Sequence, residues 1–139
     1  MAEKKYIDFI NKLIQDTKEE QIRWRYLDSN QELCKQMGWM GRDTVITQMV
    51  GIFSGVNHSG AVFNSEKSFF SQIESTYIVL FVEDNNPASL FIIPSTFKSI
   101  IVLSADEYGD LITRLLNIVN NKFPSADKFI DDYLGGEYD

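Results

Sequence analysis

The chain has 139 residues, of which 44% are apolar and 13% aromatic, and its formal net charge is −7. This composition is typical of one globular domain and excludes a disordered chain. The acidic excess disfavours nucleic-acid binding, and the absence of any run of about 18 apolar residues excludes a predicted membrane span.

Acidic charge is concentrated towards the C-terminus, where residues 105–139 hold eight acidic and three basic groups. Such a surface keeps a protein in solution, and it also suits a basic partner protein. The single cysteine, Cys34, permits no intramolecular disulfide, and the first residues lack an apolar signal core. Both features predict a cytoplasmic protein.

An amphipathic helix is predicted over residues 3–20, because apolar side chains recur there at intervals of three and four. The period then changes to two. Trp24 and its apolar neighbours at positions 22 and 26 alternate with Arg23 and Arg25. This pattern is typical of a half-buried strand with both arginines on its outer face.

Asn30 is predicted to cap a short helix over residues 31–37. Within it, Cys34 is interpreted as a small buried apolar group rather than a reactive thiol, because no basic pair or second cysteine is near it in the sequence. The loop at residues 38–43 places Trp39 beside glycines. This loop either forms an exposed apolar patch or folds under the sheet edge as a plug, and we favour the plug.

The middle of the chain predicts an antiparallel sheet with strands over five segments: residues 44–54, 61–64, 75–83, 89–93 and 99–103. The first two form a β-hairpin, and the unbroken apolar run at 75–83 is predicted to be a middle strand. Pro94 ends the next strand or places it at an edge, and that edge offers a surface for a homodimer. Residues 69–73 are either one helical turn or a strand start.

Ser104 and Glu107 form the capping-box pattern of a long helix that Pro124 ends. A last short helix ends at Gly135, and residues 135–139 are predicted to be a flexible tail. Four apolar side chains of this last helix are predicted to face inward: Phe129, Ile130, Tyr133 and Leu134.

Together these elements predict a single α+β domain over residues 1–139. Its core is an antiparallel β-meander of about five or six strands, with the N-terminal and C-terminal helices packed on one face. No internal repeat or linker divides the chain.

Near its start the chain reads Phe9-Ile10-x-x-Leu13-Ile14-x-x-Thr17-Lys18 and then Ile22-x-Trp24. This pattern resembles the opening of small bacterial α+β proteins, several of them from prophages or mobile elements, that close with a leucine-rich helix. The apolar strands and the helix after Ser104 fit that outline over most of the chain, whereas residues 38–43 depart from it. The family has no assigned activity, so the resemblance implies a fold and no site residues.

The sequence contains no recognisable catalytic set. His58 is the only histidine and falls in a predicted turn, so it is interpreted as a solvated side chain rather than a general base. One histidine and one cysteine do not supply the donors of a zinc site, and a turn explains the acidic pair at 83–84. No metal and no cofactor is therefore predicted.

Two functions of different classes remain. The first is a non-enzymatic protein-interaction module, with an immunity, antitoxin or chaperone-like role, that binds a protein partner or forms a homodimer. The alternative is a small-molecule or anion-binding domain, or an unassigned enzyme, whose site combines five side chains: Arg23, Arg25, Trp39, Arg42 and His58. Neither hypothesis includes nucleic acid or a membrane as a partner.

Overall fold

The computed structural model describes residues 3–41, 61–123 and 126–135. The helices in these ranges are α1 (Lys4–Lys18), α2 (Gln31–Met37), α3 (Ala105–Asn120) and α4 (Ala126–Tyr133). The strands are β1 (Arg25–Tyr26), β2 (Met40–Gly41), β3 (Val62–Phe63), β4 (Phe69–Ile73), β5 (Thr76–Phe81), β6 (Ser89–Pro94) and β7 (Ile101–Leu103). The predicted strand over residues 44–54 and the predicted tail beyond Gly135 lie outside the described residues.

Five strands form one antiparallel sheet in the order β1-β4-β5-β6-β7. The central strand β5 pairs with β4 on one side and with β6 on the other, so that Leu80 lies opposite both Phe69 and Leu90. The predicted middle strand and the predicted fold class are confirmed: an α+β fold with an antiparallel sheet and with helices from both ends of the chain packed on it. Residues 69–73 are resolved as the strand β4.

One face of this sheet is covered by α1 and α3, which also pack against each other. The apolar period that predicted the first helix places Ile10 and Leu13 in this core, and α3 adds Ile112 and Leu115. These side chains bury aliphatic surface against the sheet, which is the main source of stability for amphipathic helices.

A buried hydrogen bond joins α1 to the segment that follows it. The indole Nε1 of Trp24 donates to the hydroxyl of Thr17 at 3.0 Å, and both side chains are buried. A buried indole N–H requires an acceptor. The apolar stripe of α1 therefore ends on a threonine, whose hydroxyl supplies that acceptor.

The opposite face of the sheet is covered by α2 and by the 3₁₀ turn Leu27–Ser29. As predicted, Asn30 caps α2, because its side chain accepts a hydrogen bond from the Leu33 backbone N–H at 3.0 Å. The helix ends at Gly38, whose left-handed conformation with φ of 71° suits glycine.

The segment after α2 continues this second layer. Trp39 packs on Phe81 and Phe91 with ring centroids 4.6 and 4.9 Å apart, so the prediction that this loop folds against the sheet is confirmed for Trp39. The strand β2 then pairs in parallel with β3. Gly41 runs so close to β3 that a Cβ atom there would lie 2.6 Å from the Ser65 hydroxyl, which explains the absence of a side chain.

The prediction that the strand before Pro94 offers a homodimer edge is wrong. β6 lies between β5 and β7, because the chain returns after Pro94 and places Ile101 opposite Ile92. Pro94 is the last residue of β6, where it lies opposite Thr76. The edges of the five-stranded sheet are β1 and β7.

The capping box predicted at Ser104 is only partly formed. The helix begins at Ala105 and the Ser104 backbone is extended, as an N-cap requires, but among the described residues its side chain makes no capping hydrogen bond. Tyr108 departs from helical geometry, with φ of −126°. Its ring is buried, and its hydroxyl accepts a hydrogen bond from the Glu3 backbone N–H at 3.0 Å. Contacts of Tyr108 with the start of α1, rather than a side-chain cap at Ser104, therefore hold the beginning of α3.

The prediction that the last helix turns its apolar side inward is also wrong. α4 forms where expected, but its apolar side chains are exposed. Among the described residues, the apolar core on the helix-covered face of the sheet is built with side chains of α1 and α3 and includes none from α4. Gly135 has φ of 79°, which is consistent with its predicted role as the helix end.

The substitution Ile112→Ala tests the helical layer. It removes a fully buried side chain between α3 and the sheet, so we expect the free energy of unfolding in urea to fall by about 2 to 5 kcal/mol. Thr113→Ala, at the neighbouring exposed position, is the control and changes it by about 0.5 kcal/mol or less. Equal effects of the two changes would contradict the packing of α3.

The hydrogen bond between Trp24 and Thr17 is tested by a double-mutant cycle. Thr17→Val keeps the side-chain volume and leaves the buried indole N–H without its acceptor, so we expect a loss of about 1 to 3 kcal/mol in unfolding free energy. In a Trp24→Phe background the donor is absent, and the same change costs much less. An equal cost in both backgrounds shows that the hydrogen bond does not contribute.

Candidate functional site

Arg23 and Arg25 line the same open cleft, which lies at the β1 edge of the sheet and has a volume of about 730 Å³. Side chains alternate along this segment. Trp24 and Tyr26 belong to the core under the helices, so the two arginines lie on the opposite side, where both are exposed. The strand pattern in the sequence therefore placed both arginines correctly on the outer face.

An aromatic cluster reaches from the core to this cleft. Tyr26 stacks on Phe69 at 5.2 Å between ring centroids, and Phe123 packs 4.9 Å from Tyr26 and 4.7 Å from Phe69. Tyr26, Phe123 and Phe70 all line the cleft. Phe70 lies on the side of the arginines, and Tyr26 and Phe123 lie on the helix-covered side, so the cleft at the β1 edge has apolar ring surface from both faces of the sheet, which suits a ligand with a ring of its own.

The remaining lining is polar and comes from residues 29–31, Ser71 and Gln72. Two of these side chains hold the local backbone: the Ser29 hydroxyl donates to the Tyr26 carbonyl at 2.7 Å, and the Asn30 side chain caps α2. None of the described side chains that line the cleft is acidic. The charged side chains of the described lining are therefore all positive, which favours anions over cations.

The five side chains predicted to form a binding site do not all meet in this cleft. Arg23 and Arg25 do, whereas Trp39 packs on the sheet face with Phe81 and Phe91 and is absent from the cleft lining. Arg42 and His58 lie outside the described residues. Their part in a site stays a prediction.

A second candidate surface is the exposed side of α4. Four large apolar side chains, which are between 43% and 80% exposed, lie on it: Phe129, Ile130, Tyr133 and Leu134. Their spacing of one, three and four residues places them on one side of the helix. Phe129 and Tyr133 stack at 5.9 Å, so the side is continuous along the helix.

The described residues hold no group of three or more histidine, cysteine or acidic side chains that suits a metal ion. At the predicted acidic turn, Asp84 accepts a hydrogen bond from the Asn64 side-chain amide at 3.0 Å. A structural role in the turn thus accounts for this carboxylate. None of the helices in residues 3–41, 61–123 and 126–135 is long and apolar enough to cross a bilayer.

Cys34 is a buried thiol that packs in the second core, as predicted. Its Sγ donates to the Leu27 carbonyl at 3.4 Å. Burial, with a smaller contribution from the carboxylate of Asp28, raises the pKa of the Cys34 thiol to about 11. A thiolate is the reactive form of cysteine, so this side chain is unsuited to nucleophilic chemistry at neutral pH.

Comparisons with models of protein families, with curated proteins and with solved structures find no match. The function is therefore inferred from the chemistry of the two candidate surfaces.

Two features of these surfaces were not predicted from the sequence. Phe70 and Phe123 lie 53 positions apart, and no sequence pattern indicates that both line a cleft beside Arg25. The sequence pattern showed that α4 has an apolar side, but it did not show that this side is exposed, because a helix that packs inward has the same pattern.

The Cys34 thiol gives a prediction about alkaline pH. Its pKa is about 11 in the folded protein and 9.0 in the reference state, so between these values the folded protein binds more protons than the unfolded chain. This contribution to stability is complete below pH 9 and is lost as the pH rises towards 11. We expect the stability difference between the wild-type chain and Cys34→Ala, measured by urea unfolding, to shrink over that range.

Iodoacetamide labelling checks the same point directly. At pH 8 the folded protein should react far more slowly than the urea-unfolded chain, because burial hinders both ionisation and access. Equal labelling rates would contradict a buried, protonated thiol.

Proposed function

We propose that this chain is a non-enzymatic protein-interaction module that binds its partner through the exposed apolar side of α4. The observation that supports this most is the group of four large apolar side chains on one side of α4: three within the eight-residue helix, and Leu134 directly after it. Single exposed apolar residues are ordinary, but a contiguous group of this size is typical of interaction sites.

The helix is short, and this favours a binding role. A helix of this length is marginal in water by itself, and most helices gain their stability by packing an apolar side. A partner that covers Phe129 and Tyr133 stabilises α4 and removes its apolar surface from water. Recognition of an amphipathic helix in a groove, through side chains spaced by three and four residues, is a common mode of protein binding.

The charges near α4 define the partner. Asp131 and Asp132 are exposed beside the apolar side chains, and residues 105–139 carry an excess of five acidic groups, from eight acidic and three basic. We therefore expect an apolar groove bordered by lysine or arginine side chains. Such complementarity speeds association and selects the partner. The buried thiol of Cys34 supports the proposal that this interaction takes place in the cytoplasm.

Affinity capture from the native cells tests the proposal with three baits: the wild-type chain, Phe129→Ser with Tyr133→Ser, and Val102→Thr. Val102 is an exposed apolar residue on β7, so the third bait is a matched control. We expect one protein to be captured in near-equal amounts by the wild type and the control. Its capture should fall by about tenfold or more with the double variant, because two anchoring rings are lost.

Light scattering on each purified bait completes the test. A wild-type mass of two chains that falls to one in the α4 double variant identifies the partner as a second copy. A monomeric wild type that captures no protein, or capture that the α4 variant leaves intact, contradicts the proposal. Circular dichroism should give equal unfolding temperatures for the wild type and both variants, since the changed side chains are exposed.

A further inference from the structure

The cleft at the β1 edge has a chemistry that the interaction role of α4 does not use. It brings two arginines together in a chain whose net charge is −7, and none of its described lining side chains is acidic. No ion pair involves Arg23 or Arg25 among the described residues. The two exposed guanidinium groups make this concave surface locally positive, although the chain as a whole is negative.

The backbone around the arginines is held in place by the sheet. Arg25 lies opposite Phe70 in the pairing of β1 with β4, and the same register extended by two residues places Arg23 beside Gln72. The Ser71 hydroxyl donates to the Arg23 carbonyl at 2.8 Å, which fixes this extension. Arg23 and Arg25 therefore project from neighbouring positions of one extended segment, on the side that carries the Gln72 amide.

The aromatic side chains give the cleft a second kind of contact. Tyr26 and Phe123 are anchored through Phe69 in the core, so their positions do not depend on a ligand. A preformed ring surface beside paired guanidinium groups fits a molecule that has both a flat ring and an anionic group. The volume of about 730 Å³ is within the range of clefts that hold small molecules.

We propose that this cleft binds a small aromatic anion, that is, a flat ring joined to a phosphate or carboxylate group. Arg23 and Arg25 bind the anionic group through charge-assisted hydrogen bonds, for which the planar guanidinium is suited. The ring lies against the aromatic side chains that line the cleft at the β1 edge, which are Phe70 on the side of the arginines and Tyr26 with Phe123 on the helix-covered side. The proposal is independent of the α4 interaction, since the two surfaces share no side chain.

Calorimetric titration of the full chain at low salt tests the proposal with four probes: adenosine 5′-monophosphate, indole-3-acetate, inorganic phosphate and adenosine. The first two join a ring to a phosphate and to a carboxylate, so they distinguish the two sources of negative charge. We expect at least one of them to bind with a dissociation constant of about 1 mM or lower, and tighter than both phosphate and adenosine. Added salt should weaken this binding.

Two variants assign the binding to the cleft. Arg23→Gln with Arg25→Gln removes the paired charges, and we expect affinity for the bound probe to fall by about tenfold or more. Gln72→Glu adds a carboxylate beside the arginines, which competes with the ligand and lowers affinity as well. Lys98→Gln with Arg114→Gln removes two exposed charges outside the cleft, so this charge-matched control should bind like the wild type.

The outcomes that overturn the proposal are distinct from those that bear on α4. Failure of both ring-bearing anions to bind, or equal binding by the arginine variant and its control, rules out the cleft as the site. Equal affinity for adenosine and its monophosphate would show that the arginines do not bind the phosphate group. The Phe129→Ser and Tyr133→Ser variant should bind the probes normally, because its changes lie outside the cleft.

Discussion

The structure depends on burial of the central strand β5 on both of its faces. Four consecutive residues, Ile78 to Phe81, are at most 4% exposed, and successive side chains in a strand point to opposite sides. Ile78 and Leu80 require the layer formed by α1 and α3, while Val79 and Phe81 require the layer formed by α2 and Trp39. Neither layer alone removes this strand from water, so the sheet is stable only when both are in place.

Much of this arrangement could be predicted from local pattern. The unbroken apolar run predicted a middle strand, and the spacing of Ile10, Leu13 and Ile14 predicted which side of α1 is buried. The sequence did not show which elements pack or pair with each other. A proline at position 94 is compatible with an edge strand or with the end of an inner strand, and only the pairing of residues 101–103 with β6 decides between the two. The apolar side of α4 indicated burial, but a helix whose apolar side is exposed in the isolated chain has the same sequence pattern.

The arginines of the candidate cleft could be predicted from local pattern, but its aromatic lining could not. Arg23 and Arg25 are two positions apart, so the strand period alone places them together. The ring surface beside them comes from Tyr26, Phe70 and Phe123, which only the folded chain brings together. The cleft thus lies at the margin of the two-layer core. Phe123 belongs to the cleft and precedes α4 by three positions, so the surfaces are close in sequence while their chemistry differs.

β5 belongs to the two-layer core, and we propose that α4 is stabilised only when a partner binds it. Native-state hydrogen exchange, followed residue by residue, tests this most directly. The amides of β5 should exchange only through global unfolding, and those of α4 in the isolated protein should exchange orders of magnitude faster and slow down when the partner binds. Protection of α4 equal to that of α3 in the isolated protein would contradict the claim, since it would show that the body of the protein already covers that helix.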